Sequence, residues 1–464
     1  MESNNVSVAE AGYYELISFK IRPFKKLAPI VGALGSPGSD SEGIEINQIV
    51  TNWLITEGID SPNIMGSCIV VDAEGLLRKL PIIGEEYITI EYKDFFGKTS
   101  KKEFYCFSVR DVKPYDESKD NLLSYSLDFT SIENFNANQQ EVAKSYSNML
   151  VSDMVQNVYD EFFLRQENTS NAKPIEIEPT VGNQTFCIPT LSPARAMDFL
   201  ARRAYGGEES TNNYKFFETR ESFYFCTPNY LAEKYKEMTS TPQAISDNNL
   251  LFNTNKVYDS NTPEGQLSAQ QTIMQMSYGN PTNTIEEIGS GQYKRSVFEV
   301  DILNRTTSRT SYDYREQIDK NNLGDLKINH SEDFISDKMP RIAETFVIKD
   351  YNTPGQIERS DRSYPFYAEV INSRRVFNSH LAKYAINCGI NGRIALVPGM
   401  VIFIMVDRIE VAKNPQADKE RDGFYMITNI TNVHEDDNYM QMITMTKGGL
   451  SKSYDRVLFS EGGE

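Results

Sequence analysis

Histidine, cysteine and tryptophan are scarce in this chain: three, five and one in 464 residues. His330, His380 and His434 lie far apart and form no HxH or HxxxH pair. A metal centre would need ligands from distant elements. Cys68, Cys106, Cys187, Cys226 and Cys388 show no CxxC spacing, and four of them sit in apolar, strand-like contexts. They read as reduced core residues of a protein made in the cytosol. Gly-x-Ser-x-Gly is absent, and no cysteine has a nucleophile context. The glycine-rich stretch Ala33 to Gly43 is followed by no Gly-Lys-Ser/Thr. Gly97-Lys98-Thr99 ends like a phosphate-binding loop, but Tyr92 stands where such a loop needs glycine. No apolar run approaches a membrane span, and the N-terminus has no basic-then-apolar signal. These absences lead us to expect no membrane insertion, no cofactor, and no catalytic, cofactor-binding or metal residues.

Positive charge is also in deficit. The chain has 47 basic and 65 acidic residues, for a net charge of −18. Such a balance repels DNA phosphate and argues against stable nucleic-acid binding. It suits solubility, or an acidic channel through which DNA passes without sticking. The acidic run Glu435 to Asp437 reads as a solvated loop, which places His434 at a surface strand end. Glu85 and Glu86 are adjacent in an extended segment, so they point to opposite faces and form no catalytic dyad.

What is abundant is alternation. Ser67 to Asp72 is rich in β-branched residues, and Glu86 to Tyr92 alternates polar with apolar. A turn over Pro81 to Gly84 separates them. Glu103 to Val109 follows across a Gly-containing loop, which makes a hairpin. Strands are also expected over Tyr13 to Ile21, over Ile44 to Glu57 and over Leu122 to Thr130, for a first barrel of about six strands. Trp53 reads as a core anchor.

The period changes after a linker at Ser131 to Gln140. Apolar residues from Leu150 to Phe162 recur on one helical face, with Ser147 or Asn148 as cap. Short strands fall at Pro174 to Pro179 and Thr185 to Ile188. Ser192-Pro193 opens a second helix that Gly206-Gly207 closes. Tyr214 to Phe217 and Phe223 to Cys226 make an aromatic hairpin. Further on, Ser268 to Met276 reads as a helix and Gln292 to Leu303 as a strand. Helices are also expected over Asp313 to Lys320 and Arg375 to Ala385. The C-terminal part returns to strands: Gly392 to Ile404 through the Pro398-Gly399 turn, then Asp422 to His434, then Tyr439 to Thr446.

Three of these stretches carry a resemblance. They are Asp72 to Tyr92, Gly291 to Asp301, and the C-terminal order of Pro-Gly, apolar strand, charged loop, Gly-Phe-Tyr-Met-Ile, His and alternating strand. The pattern resembles the tail-hub barrel of contractile-phage baseplate hubs, late-control gene D-type proteins and type VI secretion spike bases. It covers about half of the chain and rests on turns and strands, not on catalytic signatures.

The resemblance implies an α+β, mainly β fold: two tail-hub-type antiparallel β-barrels with an inserted small α/β module. Expected domains are 1–137 (first barrel), 138–235 (α/β module), 236–345 (a polar middle segment partly returning to the first barrel) and 346–464 (second barrel). The implied protein is a structural hub of a tail baseplate, not an enzyme. It is a homotrimer whose six barrels form a pseudo-sixfold ring between a hexameric tail tube and a trimeric central spike. Implied partners are the tail tube protein, the central spike protein, the tape measure protein and baseplate wedge proteins. Assembly is in the host bacterial cytoplasm, and the final location is the virion tail. No repeat-rich β-helix follows Leu450, so the needle is expected to be a separate protein. The alternative is a tail-associated carbohydrate-binding or cell-wall-degrading component. The 26 tyrosines allow it, since aromatic rings stack on sugars as well as at protein interfaces.

Overall fold

Strand alternation builds most of the molecule. In the computed structural model of the chain, residues 10–23, 43–73, 75–79, 82–115, 122–164, 173–207, 212–254, 262–278, 283–289, 291, 293–302, 304–313, 344–348, 371, 374, 378, 385–406 and 422–446 are described. The N-terminal unit comprises β1 (Glu15–Pro23), β2 (Ile44–Glu45), β3 (Val50–Gly58), β4 (Met65–Asp72), β5 (Glu86–Lys93), β6 (Thr99–Pro114) and β7 (Leu123–Ser131), with one short helix, α1 (Leu76–Lys79). In β5 the expected period holds: Glu86, Ile88, Ile90 and Tyr92 are buried, and the residues between them are not. The Glu86 carboxylate is inside because it accepts the backbone N–H groups of Ile83, Gly84 and Glu85, at 2.9, 3.0 and 2.9 Å. Those bonds hold the preceding turn, in which Gly84 takes a positive φ of 87°.

Ser131 to Gln140 is not a linker. It contains helix α2 (Ile132–Asn138), whose N-cap Ser131 accepts the Asn134 N–H. The helix buries only Asn134 and Ala137, so it has no apolar stripe to read. The α/β module follows as β8 (Val142–Met149), α3 (Val151–Phe162), β9 (Ile175–Ile177), β10 (Gln184–Leu191), α4 (Pro193–Ala201), β11 (Lys215–Glu218) and β12 (Phe223–Cys226). Ser147 and Asn148 belong to β8 and do not cap α3. The cap comes from afar: the Ser152 N–H donates to Thr180 Oγ1 at 3.0 Å. Helix α4 begins at Pro193 as expected, but it ends at Ala201 with Arg202 as its C-cap, ahead of Gly206-Gly207. One cluster including Val155, Tyr159, Met197, Leu200, Phe223 and Phe225 forms the module's core.

In the middle segment a repeated signal sets the helices. Thr227-Pro228, Thr241-Pro242 and Thr262-Pro263 open α5 (Pro228–Lys234), α6 (Pro242–Asp247) and α7 (Pro263–Gln270). Each threonine hydroxyl accepts an N–H three residues on, and each proline fills the first helical position. The expected helix at Ser268 to Met276 is corrected: α7 stops at Gln270, and β14 (Ile273–Tyr278) runs from the next turn, after β13 (Leu251–Asn253). Helix α8 (Thr284–Gly289) precedes β15 (Lys294–Asp301), β16 (Thr306–Asp313) and β17 (Glu344–Ile348), which pair in a sheet of their own. The expected returning strand at Gln292 to Leu303 is therefore present, but it does not join the first unit. Instead β13 pairs with β19 (Val401–Met405) and β14 with β18 (Ala385–Asn391), both C-terminal strands. The expected helices at Asp313 to Lys320 and Arg375 to Ala385 lie almost wholly outside the described residues. Asp313 ends β16 and Ala385 begins β18. The expected loop at Ala33 to Gly43 also lies outside them, apart from Gly43.

The C-terminal unit is completed by β20 (Gly423–Glu435) and β21 (Asn438–Thr446). Gly399, at φ 90°, makes the Pro-Gly turn before the apolar β19. Each unit has its own core, one including Trp53, Ile88, Leu127 and Phe129, the other including Ile402, Phe403, Met426 and Ile443. The two units meet strand to strand. β20 pairs with β3, giving one sheet of order β14-β18-β21-β20-β3-β4-β7-β6-β5-β1-β2, with β19 and β13 off that path. The chain is thus mainly β, with antiparallel strand units and a small α/β insertion.

Close packing inside this sheet makes two glycines irreplaceable. A Cβ on Gly392 would lie 2.2 Å from the buried Tyr439 ring, and one on Gly66 would lie 2.1 Å from that of Phe129. Gly392→Ala and Gly66→Ala are each expected to lose about 1–3 kcal/mol or more in denaturant unfolding. Gly389→Ala, whose added methyl would make only ordinary contacts, with Met442 Sδ at 3.5 Å and Gln275 Cβ at 3.6 Å, is expected to stay within about 0.5 kcal/mol of the parent.

Candidate functional site

The unusual chemistry of the chain collects where the two strand units and the module meet. β20 pairs with β19 through its first residues and with β3 through Asn429 to Glu435, with a register shift between Ile427 and Asn429. In that register Trp53, His434 and Tyr439 are direct partners across three strands. Their side chains share one face, and the rings stack. His434 lies parallel to Trp53 (centroids 3.5 Å apart, 7° between planes) and to Tyr439 (4.1 Å, 10°). Tyr14 and Tyr92 meet the imidazole edge-on at 4.8 and 4.7 Å.

His434 is therefore not a surface residue. Its exposure is 0%, and among the described residues neither ring nitrogen has a hydrogen-bond partner. Burial, with Arg220 nearby, holds its pKa well below the usual histidine value. The parity of β20 carried the signal: Ile430, Asn432 and His434 alternate onto one face, and Ile430 is core. The acidic run after His434 hid it.

Arg220 ties the module to both units. It sits in the tight turn between β11 and β12, where the Thr219 N–H donates to the Ser222 carbonyl at 2.9 Å. Its guanidinium pairs with Glu57 of β3 at 2.7 Å. It also donates to Tyr92 Oη at 3.1 Å and to the Leu396 carbonyl at 2.8 Å. The Arg220 backbone N–H reaches the other Glu57 oxygen at 2.9 Å. Both side chains are essentially fully buried. Burial works against the charge on Arg220, but Glu57 and Tyr92 outweigh it, and the guanidinium stays protonated.

Two further buried links surround this pair. Glu218 accepts from Ile64 N–H at 2.9 Å, Ser131 Oγ at 2.8 Å and Lys173 Nζ at 2.5 Å, joining the module to the first unit. Burial raises the Glu218 pKa, and Lys173 opposes the rise. Arg393 lies between the rings of Phe96 and Phe252, at 5.0 and 4.6 Å. It donates to the carbonyls of Asn249 and Gln270. Burial lowers its pKa to about 10, with Asp94 opposing, so it remains charged at neutral pH. In each of these clusters the charged groups are engaged in holding elements together. His330 and His380 lie outside the described residues. Among the described residues no group of three or more His, Cys, Asp or Glu side chains is placed to hold a metal.

Two exposed features can meet partners. On the outer face, the row Met65–Thr56–Thr431–Met442 crosses four strands, and Ser67–Leu54–Val433–Met440 lies beside it. Neither row carries a charge. The second feature is an arm. β6 runs on beyond its pairing with β5 and continues against β7 alone. Two register shifts interrupt that pairing, between Cys106 and Ser108 and between Arg110 and Lys113. Phe107 and Val112 fall in those shifts. With Ile83 and Tyr115 they are exposed by 42–67%.

Comparison with known proteins bears on the fold. No family model matches the chain, and no curated relative does. Among solved structures, a tail protein from Neisseria meningitidis MC58 is 10% identical and superposes with a TM-score of 0.52, over 94% of this chain and 98% of that one. The 43 kDa tail protein of prophage MuSo2 from Shewanella oneidensis is also 10% identical, with a TM-score of 0.50 over 92% and 98%. At this identity the likeness establishes a shared fold across nearly the whole chain.

The junction makes a quantitative expectation. Arg220→Met should cost about 3–5 kcal/mol, because it strands the buried Glu57 carboxylate. Adding Glu57→Leu should recover part of that loss. A double-mutant cycle by chemical denaturation measures the coupling, and strictly additive losses would rule out a coupled buried pair.

Proposed function

We propose that the protein is the central hub of a contractile tail baseplate, a structural component and not an enzyme. The observation that carries this reading is the fold. Two antiparallel strand units, joined strand to strand and carrying a small α/β insertion, match tail proteins from end to end. Three subunits would set six strand units around one axis. Such a ring presents near-sixfold repetition to a hexameric tube and true threefold symmetry to a trimeric spike. The tape measure would run through its lumen, with baseplate wedge proteins outside.

The buried charge network supports this reading. A hub transmits load between tube and spike, and its two strand units have to move as one body. The shared sheet, Arg220 and Glu218 fix their relation within each subunit. The exposed end of β6 at the sheet edge offers apolar side chains for contact between subunits. The domain division 1–137, 138–235, 236–345 and 346–464 remains part of this proposal, with three cores fused at the junction.

The purified protein is expected to run at three times 52.8 kDa in light scattering, with the mass of the spike added when the spike is bound, and to show rings in electron micrographs. Monomers at high concentration under both conditions would overturn the hub reading. Phe107→Asp and Val112→Asp are expected to weaken the trimer by about tenfold or more in dissociation constant while leaving the melting temperature of the subunit unchanged.

A further inference from the structure

The segment just before β1 crosses the open end of the aromatic stack. Tyr14 lies edge-on to His434, Trp53, Tyr92 and Tyr439. Its attachments are few. The Tyr439 N–H donates to the Gly12 carbonyl at 2.7 Å, and the Tyr14 N–H to the Asp437 carbonyl at a long 3.4 Å. Among the described residues its other backbone ties to the rest of the fold are side chains of α7: Gln266 Oε1 accepts the Ala11 N–H at 2.7 Å and Gln270 Oε1 the Gly12 N–H at 2.9 Å. By contrast, the strands beneath are held by continuous ladders. The strap at residues 10–14 is thus the cheapest part of the wall around His434 to displace.

His434 has strong reason to displace it when protonated. Among the described residues its two ring nitrogens have no acceptor, and the side chain is fully buried while the strap is closed. Among the described residues, the elements packed against it offer no compensation. β3 presents Trp53 and the Glu57 carboxylate, the latter already engaged by Arg220. β5 presents Tyr92, β21 presents Tyr439, and the module presents the like charge of Arg220. Stacked rings favour a cation, but by less than the cost of an unpaired buried charge beside a guanidinium. Beyond the strap stand Asp436 and Asp437, near enough to Tyr14 to add to the effect of burial in pushing its hydroxyl pKa up to about 12. They can receive an imidazolium once Tyr14 has moved.

We propose that residues 10–14 form an acid-opened latch over the junction, with His434 as its trigger. The direction follows from linkage. Folded, closed protein holds His434 neutral, whereas an opened or unfolded chain takes up the proton near the ordinary value of about 6.5. Closure is at full strength above that pH and is lost as pH falls below it, by up to about tenfold in the opening equilibrium for each pH unit. This latch operates within one subunit and does not depend on the hub reading.

Trp53 is the only tryptophan, so its fluorescence reports on this stack alone. Between pH 8 and 6.5 its emission and its quenching by acrylamide should be constant. Below pH 6.5 quenching should rise, by up to about tenfold per pH unit in the opened fraction. Protection factors at Gly12, Tyr14 and Tyr439, corrected for the pH dependence of intrinsic exchange, should fall in the same window while amides of β5 and β6 stay protected. His434→Phe should keep the latch closed through the window. Gln266→Ala, which removes the acceptor of the Ala11 N–H at the end of the strap away from Tyr14, should move the opening to higher pH, and it serves if the phenylalanine variant does not fold. Opening that persists unchanged in His434→Phe, a midpoint unmoved by Gln266→Ala, or simultaneous loss of protection in β5 and β6 would each overturn the proposal.

Discussion

Arg220 and Glu57 sit where three separately cored bodies touch, and neither charge has water to fall back on. That constraint orders the rest. A guanidinium so placed needs every donor near an acceptor, so the carbonyl of Leu396 and the hydroxyl of Tyr92 have to stand at fixed positions around it. Leu396 belongs to the C-terminal unit, Tyr92 to the N-terminal one, and Arg220 to the insertion. The pair is poor as a source of raw stability, since apolar replacements of equal volume often do as well. Its value is geometric: a small tilt of one unit against another breaks several charged hydrogen bonds together.

The aromatic stack beside it works by a different principle. Trp53, His434 and Tyr439 come from three neighbouring strands in register, so their stacking tests the alignment of the seam residue by residue. A slip by one residue in β20 would turn His434 outward and bring Val433 or Glu435 in. The polar partners Asn432 and Gln441 add to this discrimination: Gln441 Nε2 and Tyr439 Oη both donate to Asn432 Oδ1, at 2.9 and 2.7 Å.

How much of this could be read from the sequence varied with the distance over which the cause acts. The alternation of Glu86 to Tyr92, the amphipathic face from Val151 to Phe162 and the Pro398-Gly399 turn are local, and each appears where it was expected. Three Thr-Pro helix starts were equally local and would have located α5, α6 and α7 directly. Around Gln270 a helix gives way to a strand within two residues, too short a span for a period to show. The cap of α3 comes from Thr180, and the partner of Arg220 lies 163 residues away, so no window along the chain contains them. His434 was legible through strand parity but was masked by its acidic neighbours.

The seam between β3 and β20 joins residues some 375 positions apart. During synthesis at about 5–20 residues per second, β3 therefore waits on the order of half a minute for its partner. Throughout that interval the N-terminal unit presents a bare strand edge, with Trp53 and Leu54 among its residues, to every other nascent copy nearby. Folding of this chain is consequently a race between its own late-arriving C-terminus and its neighbours. Crowded polysomes would tilt that race toward wrong pairings, and a chaperone that shields the edge would tilt it back.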